Sequence, residues 1–402
     1  MGYHNSANTE APCIIIGRKG SFGKVNYSHD PVFAIDTTFF IDSRFSSTHI
    51  RWLFFLLRWL RLDGVTKDSA IPGLNREDAY QRFAAVPPLP EQTAITRYLD
   101  YTDRWIQRYL HAKQKLITLL EEQRQAIIHQ AVTGQIDVGT GQPYPVYKDS
   151  GVEWLGEVPE HWGVAALRHR YSQHLGKMLD SKRVMGSHLL PYLRNTDVQW
   201  DRINIKDLPE MDIFPEECGR YTVQPGDLLV CEGGEIGRCA LWSGELAVCG
   251  FQKALHRLRP RNADQDVARF MYYVLRVAAK HNAFTDGHVS TIAHLTGDKL
   301  RAHRFPFPTF SEQTAIVHFL DHTTTGIDHA ISRTQRQIDL LSGYRTRLIS
   351  DVVTGKLDVR EAAANLPEVD PLTAGDAIDD TLDTGAESNL DELGTKVKEV
   401  AT

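Results

Sequence analysis

Apolar residues recur at alternating steps of four and three along one stretch of the chain: Ile95, Leu99, Ile106, Tyr109, Leu116, Leu120 and Ile127. Polar Thr102, Lys113 and Gln123 fill the remaining places of the same seam. A 3.5-residue period held over about five heptads predicts one long coiled-coil helix. Pro87, Pro88 and Pro90 set its start, and Gly134 predicts its end, because glycine readily takes the left-handed conformation beyond a last helical turn. The seam returns at Ile316, Leu320, Ile327, Ala330, Leu341 and Leu348, with Gly355 as its stop. About 40 helical residues make a rod of roughly 60 Å.

The two stretches are copies. Segment 87–138 aligns with 308–359 without a gap, pairing Glu91 with Glu312 and Val138 with Val359, each 221 residues apart. Both copies carry E-Q-T-A-I near the start and V-T-G-[QK]-[IL]-D-V at the end. A shared helical period alone does not produce such matches, so the pattern is an internal duplication of a large module rather than a solenoid of short repeats.

Between the helices, a Gly/Pro-rich linker leads to Trp154-Leu155-Gly156, Pro159 and Trp162. Short strand-like runs and turns follow, such as 223–227 leading into Leu228-Leu229-Val230, and Val267 to Lys280 reads as a helix. Ahead of the first long helix lies a shorter relative of this domain. Gly20-Ser21-Phe22-Gly23-Lys24 resembles Gly234-Glu235-Ile236-Gly237-Arg238, and the amphipathic run Trp52 to Leu62 takes the place of 267–280. The 221-residue spacing then resumes, with Ser69 matching Ser290 and Leu74 matching Leu295. Nothing before Gly20 corresponds to Trp154–Trp162, so the first module is expected to lack its N-terminal half, which leaves its folding and its reading of a target in question.

Composition narrows the function. Of the 402 residues, 42% are hydrophobic and 24% charged, as in a soluble globular protein. Net charge is −6, but the segment from Arg360 onward holds eleven acids and three bases, so the rest carries +2. That Gly/Ala/Thr/Asp-rich end is expected to be disordered. The five cysteines form no C-x-x-C pair, which suits a reducing cytoplasm, and no leader or membrane-spanning run is evident. Gly17 to Lys24 lacks the first glycine and the hydroxyl of a phosphate-binding loop and is expected to be a turn between strands. Asp227, Glu232 and Glu235 lack the lysine that accompanies metal-dependent nuclease carboxylates, and the 17 histidines show no ligand spacing, so neither a catalytic residue nor a metal site is assigned.

Donors suited to nucleic acid are denser in the complete domain. Lys177, Lys182, Arg183, Arg194, Asn195, Arg202 and Lys206 are interleaved with Tyr192 and Trp200, and Gln252-Lys253 follows the glycine turn. His288 and Ser290 lie in a second polar loop. Such side chains reach phosphates and base edges. The candidate DNA-binding set is Lys177, Lys182, Arg183, Arg194, Asn195, Arg202, Gln252, Lys253, His288 and Ser290.

The motifs P-P-L-P-E-Q-x-x-I at 87–95, S-E-Q-x-x-I at 311–316, the two V-T-G-x-[IL]-D-V ends, I-P-G-L-N at 71–75 and G-V-E-W-L-G with Pro159 and Trp162 together resemble the specificity subunit of type I restriction–modification systems. The resemblance covers about 17–359. It implies an α+β chain in which two α/β target-recognition domains are joined by two long antiparallel coiled-coil helices. The expected division is 1–86, a partial first recognition domain; 87–138, a spacer helix; 139–307, a complete second domain; 308–359, a second spacer helix; and 360–402, a disordered acidic tail. It further implies a non-catalytic subunit reading a bipartite double-stranded DNA target and docking two methyltransferase subunits and restriction endonuclease subunits. S-adenosylmethionine, ATP and Mg would then belong to those partners, with no cofactor on this chain. The chain itself shows no N-P-P-[FY] methyltransferase signature and no helicase phosphate loop. The alternative is a partner-binding scaffold, or a half-reader with one defective domain.

Overall fold

Leu89–Thr133 and Phe310–Val353 are uninterrupted helices of 45 and 44 residues in the computed structural model, each about 66 Å long at 1.5 Å per residue. The structure describes residues 6–64, 73–179, 186–284 and 294–367. Gly134 and Gly355 both take positive φ, +75° and +73°, and close the two helices as expected. The chain divides into two compact units, Met1–Ile117 with Arg333–Thr402, and Thr118–Ser332, so each long helix contributes one part to each unit.

The seam departs from the heptad reading in one helix. Ile95, Leu99 and Ile106 are buried, but Leu116 is 39% exposed and Ile117 replaces it at 6%; Ile128, at 0%, is more buried than Ile127. A straight helix has 3.6 residues per turn and drifts about 20° per heptad against a 3.5 period. By Leu116, three heptads after Ile95, the drift is about 60°, more than half of the roughly 100° between successive residues, enough for the one-residue slip observed. Leu120 stays half-buried on the seam. The second helix keeps its expected face, with Ile316, Leu320, Ile327 and Leu348 buried and Leu341 half-buried.

Within the first unit, Ile95 and Leu99 share a core with Leu348, Ile349, Val352 and Val353, and Asp103 pairs with Arg345 at 2.5 Å. The start of one long helix therefore lies beside the end of the other. The second unit has the converse arrangement: Ile128, Ala131 and Val132 share a core with Ile316 and Leu320, and Arg124 pairs with Asp328. Each unit thus holds an antiparallel helix pair.

On the first pair sits a three-stranded antiparallel sheet ordered Val25–Ser28, Cys13–Gly17, Thr38–Ile41, with helix Ile50–Trp59 on one face. Ile14, Ile16, Trp52, Phe55, Leu62 and Leu74 join the long-helix residues in one core, so this short domain has an interior of its own. The chain beyond the second long helix is ordered at its start: Arg360–Ala364 is helical, and Ala363 is buried. Residues 368–402 of the expected tail lie outside the described residues.

The second unit carries a four-stranded antiparallel sheet ordered Cys239–Leu241, Leu228–Cys231, Leu255–Pro260, Tyr171–Leu175. Leu228 and Val230 face a core shared with helix Ala268–Lys280, while Leu229 and Cys231, on alternate positions, face a second core with Leu193, Val223, Trp242 and Phe251. A three-stranded sheet of Glu210–Asp212, Leu189–Leu193 and Gly250–Phe251 supplies part of that second layer.

Candidate nucleic-acid interface

The glycine turn is built from the same hydrogen bonds in both units. Gly23 N–H donates to Gly17 O at 2.8 Å, and Gly17 N–H to Lys24 O at 2.9 Å; Gly237 N–H donates to Cys231 O at 3.2 Å, and Cys231 N–H to Arg238 O at 2.8 Å. Downstream, Leu74 N–H reaches Arg18 O at 2.9 Å, as Leu295 N–H reaches Glu232 O at 2.8 Å. A Cβ on Gly23 would overlap the Asp63 backbone, and one on Gly237 would press on the Phe284 ring. Close packing of a strand turn therefore explains the glycines.

Around the second turn, five expected residues converge. Lys177 and Gln252 form a parallel bridge, Lys253 N–H donates to Lys177 O at 3.0 Å, and Gln252 N–H to Leu193 O at 3.0 Å, next to Arg194. Asn195 Nδ2 donates to Gly233 O at 3.1 Å and draws the turn toward the same edge. Exposed His294, which is outside the candidate DNA-binding set, borders Gly233 there. Arg202 is exposed on a separate ribbon of Val198–Gln199 and Arg202–Ile203, whose Trp200 Nε1 donates to Glu235 at 2.6 Å. Lys182, Arg183, His288 and Ser290 lie outside the described residues.

The charged candidates differ in availability. Lys177 Nζ is held by Glu217 at 2.5 Å and Asp212 O at 2.8 Å, and this hydrogen bond lowers the Glu217 pKa. Arg194 forms a fork with Asp197 at 2.8 Å on both arms. Lys253 and Arg202 are exposed and form no ion pair among the described residues. Asp227, considered above among possible nuclease acids, instead accepts both arms of Arg259 at 2.6 and 2.7 Å and caps Gln224 N–H at 2.7 Å. His256 is buried between Gln173 and Leu295 O, and burial lowers its pKa.

A second repeated construction ties each domain to its helix pair. Gln92 Oε1 accepts from His49 N–H at 2.8 Å, where helix 50–59 begins, and its Nε2 donates to Pro87 O. Gln313 Oε1 accepts from Val267 N–H at 2.8 Å, where helix 268–280 begins, and its Nε2 donates to Pro308 O and Gln265 O. Both glutamines are at most 2% exposed. Eight residues on, Asp100 accepts from Arg51 Nε at 2.8 Å, as Asp321 does from Arg269 Nε at 3.0 Å. In the sequence the E-Q pair served to align the copies and to carry the family resemblance, not to mark a structural tie. The usable signal was polar identity on a helix face that repeats.

One contact set is confined to the second unit. Glu312 lies 2.7 Å from His161 Nε2 and accepts from Trp162 Nε1 at 3.2 Å and Tyr144 Oη at 3.3 Å, anchoring the Trp154–Trp162 lead-in. Burial pushes its carboxyl up, but hydrogen bonds from His161, Thr309 and Trp162 outweigh that and hold it at about 2.

Residues 189–338 match the family model of the type I restriction modification DNA specificity domain. No curated protein sequence matches the chain. A chain solved in work on complex assembly and conformational transition of the type I R-M system is similar over 86% of this chain and 82% of its own, with TM-score 0.67 and 15% identity. The HsdS subunit from Thermoanaerobacter tengcongensis aligns over 85% and 79% at 17% identity and TM-score 0.47. The type I S subunit from M. genitalium aligns over 87% and 85% at 15% identity and TM-score 0.39. Residues 189–338 are thus similar to the type I restriction modification DNA specificity domain, and the chain shares the fold of the first of these structures.

Proposed function

We propose that this chain is a DNA specificity subunit of a type I restriction–modification system, a recognition subunit rather than a catalytic one, and that it reads a bipartite duplex target in the cytoplasm, with one recognition domain per half-site and the two long helices setting the gap between them. The observation that carries this reading is the duplication itself, which extends to matching hydrogen bonds in the glycine turns and in the Gln and Asp–Arg ties. A rigid repeated attachment is what a spacing device requires, by the same logic that sets half-site separation in dimeric DNA readers. Methyltransferase subunits, two in this reading, and restriction endonuclease subunits dock on the chain and bring S-adenosylmethionine, ATP and Mg. The domain division is 1–86, 87–138, 139–307, 308–359 and 360–402.

In the second domain, Lys253 and Arg202 serve as phosphate contacts, and Gln252 and Asn195 approach base edges. Lys177 and Arg194 hold the strand ends on which these residues stand. Lys182, Arg183, His288 and Ser290 complete the set. The test is duplex binding by the subunit with its methyltransferase across a salt series. Lys253→Ala with Arg202→Ala should weaken binding about tenfold and flatten the salt slope by roughly 1.8, near 0.9 per phosphate contact. A scaffold that does not read DNA would show neither change and would still bind the methyltransferase.

A further inference from the structure

The first long helix carries an exposed ridge that its copy lacks. Arg97, Tyr101, Trp105, Tyr109 and Lys113 follow one another at steps of four. Tyr101 is 38% exposed, Trp105 58% and Tyr109 38%. Trp105 and Tyr109 stack with centroids 5.8 Å apart, and Lys113 Nζ lies 5.1 Å from the Tyr109 ring centre. The matching positions of the second helix are His322, Gly326, Ala330 and Thr334, which offer no such surface.

This ridge is also basic. Arg97, Arg104, Arg108, Lys113 and Lys115 make no ion pair among the described residues, whereas the neighbouring acids Asp100 and Asp103 are taken by Arg51 and Arg345. At the head of the ridge, Arg97 Nη2 donates to Leu366 O at 2.8 Å. The chain therefore leaves the described structure at the ridge's first residue. From Glu368 onward, 35 residues hold ten acids and two bases, with Val369, Leu372, Ile378 and Leu382 interspersed.

We propose that segment 368–402 lies along this ridge of its own chain, its acids on the free bases and its apolar side chains on the Tyr101–Trp105–Tyr109 rings. Length permits it: the ridge spans about 24 Å, which about eight extended residues cover. Charge favours it, since the segment is acidic, the ridge is basic, and the described chain ends beside Arg97 at the head of the ridge. A partner that uses this ridge must first displace the segment. The proposal does not depend on the DNA reading.

The test uses the full chain with the photoreactive aromatic p-benzoylphenylalanine in place of Tyr101, irradiated as a mixture of isotopically labelled and unlabelled protein. The expected product is a crosslink within one chain to residues 368–402. Its yield should fall about fivefold in roughly 0.5 M salt, where charges are screened beyond a few ångströms. A similar fall is expected with Asp376→Asn, Asp379→Asn, Asp380→Asn and Asp383→Asn combined. Crosslinks that join labelled to unlabelled chains, that map only outside 368–402, or that do not form would overturn it. So would a yield indifferent to both the salt and the four substitutions.

Discussion

The sheet around Cys13–Gly17 and the sheet around Leu228–Cys231 share one construction and differ in what is built around it. Strand for strand, Val25–Ser28, Cys13–Gly17 and Thr38–Ile41 correspond to Cys239–Leu241, Leu228–Cys231 and Leu255–Pro260, and each set carries a helix on the face turned to its long-helix pair. Beyond that face they part. Among the described residues, only the second sheet gains a fourth strand, Tyr171–Leu175, and only Leu229, not its counterpart Ile15, is sealed in a second core. The parts held in common are those that attach a domain to its helices. Attachment and the outer layer are thus separate structural tasks, and the attachment half has a core without the rest.

The sharpest way to break this comparison is at the two V-T-G ends, identical in sequence and different in surroundings. A Cβ on Gly134 would overlap the Pro159 ring and press on Trp162, whereas nothing lies within 4 Å of one on Gly355. Positive φ alone costs a non-glycine residue about 1–2 kcal/mol, and forced overpacking adds about 1–3. Gly134→Ala should therefore destabilise the second unit by about 4 kcal/mol and Gly355→Ala the first by only about 1. Hydrogen exchange of helices 268–280 and 50–59, read separately in the full chain, measures both. Equal losses would mean that the lead-in segment does not pack on Gly134.

The glutamine ties come next. Gln313 satisfies three backbone groups and Gln92 two, and an orphaned buried group costs about 1–3 kcal/mol. Gln313→Leu is expected to cost about 3 kcal/mol and Gln92→Leu about 2. Each should speed exchange at the start of its own domain helix, Val267 or His49, and leave the other protected. If both helix starts opened in either variant, the ties would not be local to their units.

Much of this was legible in the chain, and the parts that were not share a physical cause. Periodicity located both long helices, and the two glycine stops ended them, because helix geometry is local. The seam slipped by one residue at Leu116 because a 3.5-residue count ignores the 3.6-residue turn, a drift that builds over the three heptads from Ile95. Gln92, Gln313, Asp100 and Asp321 escaped notice because a polar residue on a helix reads as solvated until a neighbour that needs its hydrogen bond is placed beside it. The second layer of the complete domain is built from strands of two to five residues, too short for alternation to declare itself. Convergence of Lys177, Gln252 and Arg194 depends on that layer, so the candidate residues could be named but not grouped.

The smallest expected effect distinguishes the two glutamates that open the copies. Glu312 anchors Trp162 and His161 and titrates near 2, below the ordinary 4.5. A carboxylate with a lowered folded pKa contributes stability that is complete above the unfolded value and disappears as pH falls through the folded one. The window is therefore pH 4.5 down to about 2. Among the described residues, Glu91 has no lead-in segment against it and accepts no side-chain hydrogen bond. Removing the charge by Glu312→Gln should flatten the acid loss of stability of helix 268–280 across that window, while Glu91→Gln should leave the acid profile of helix 50–59 close to that of the unaltered chain. A matched flattening in both units would show that Glu312 draws its low pKa from the start of its own helix, which both copies have, and not from the Trp162 segment that only one copy carries.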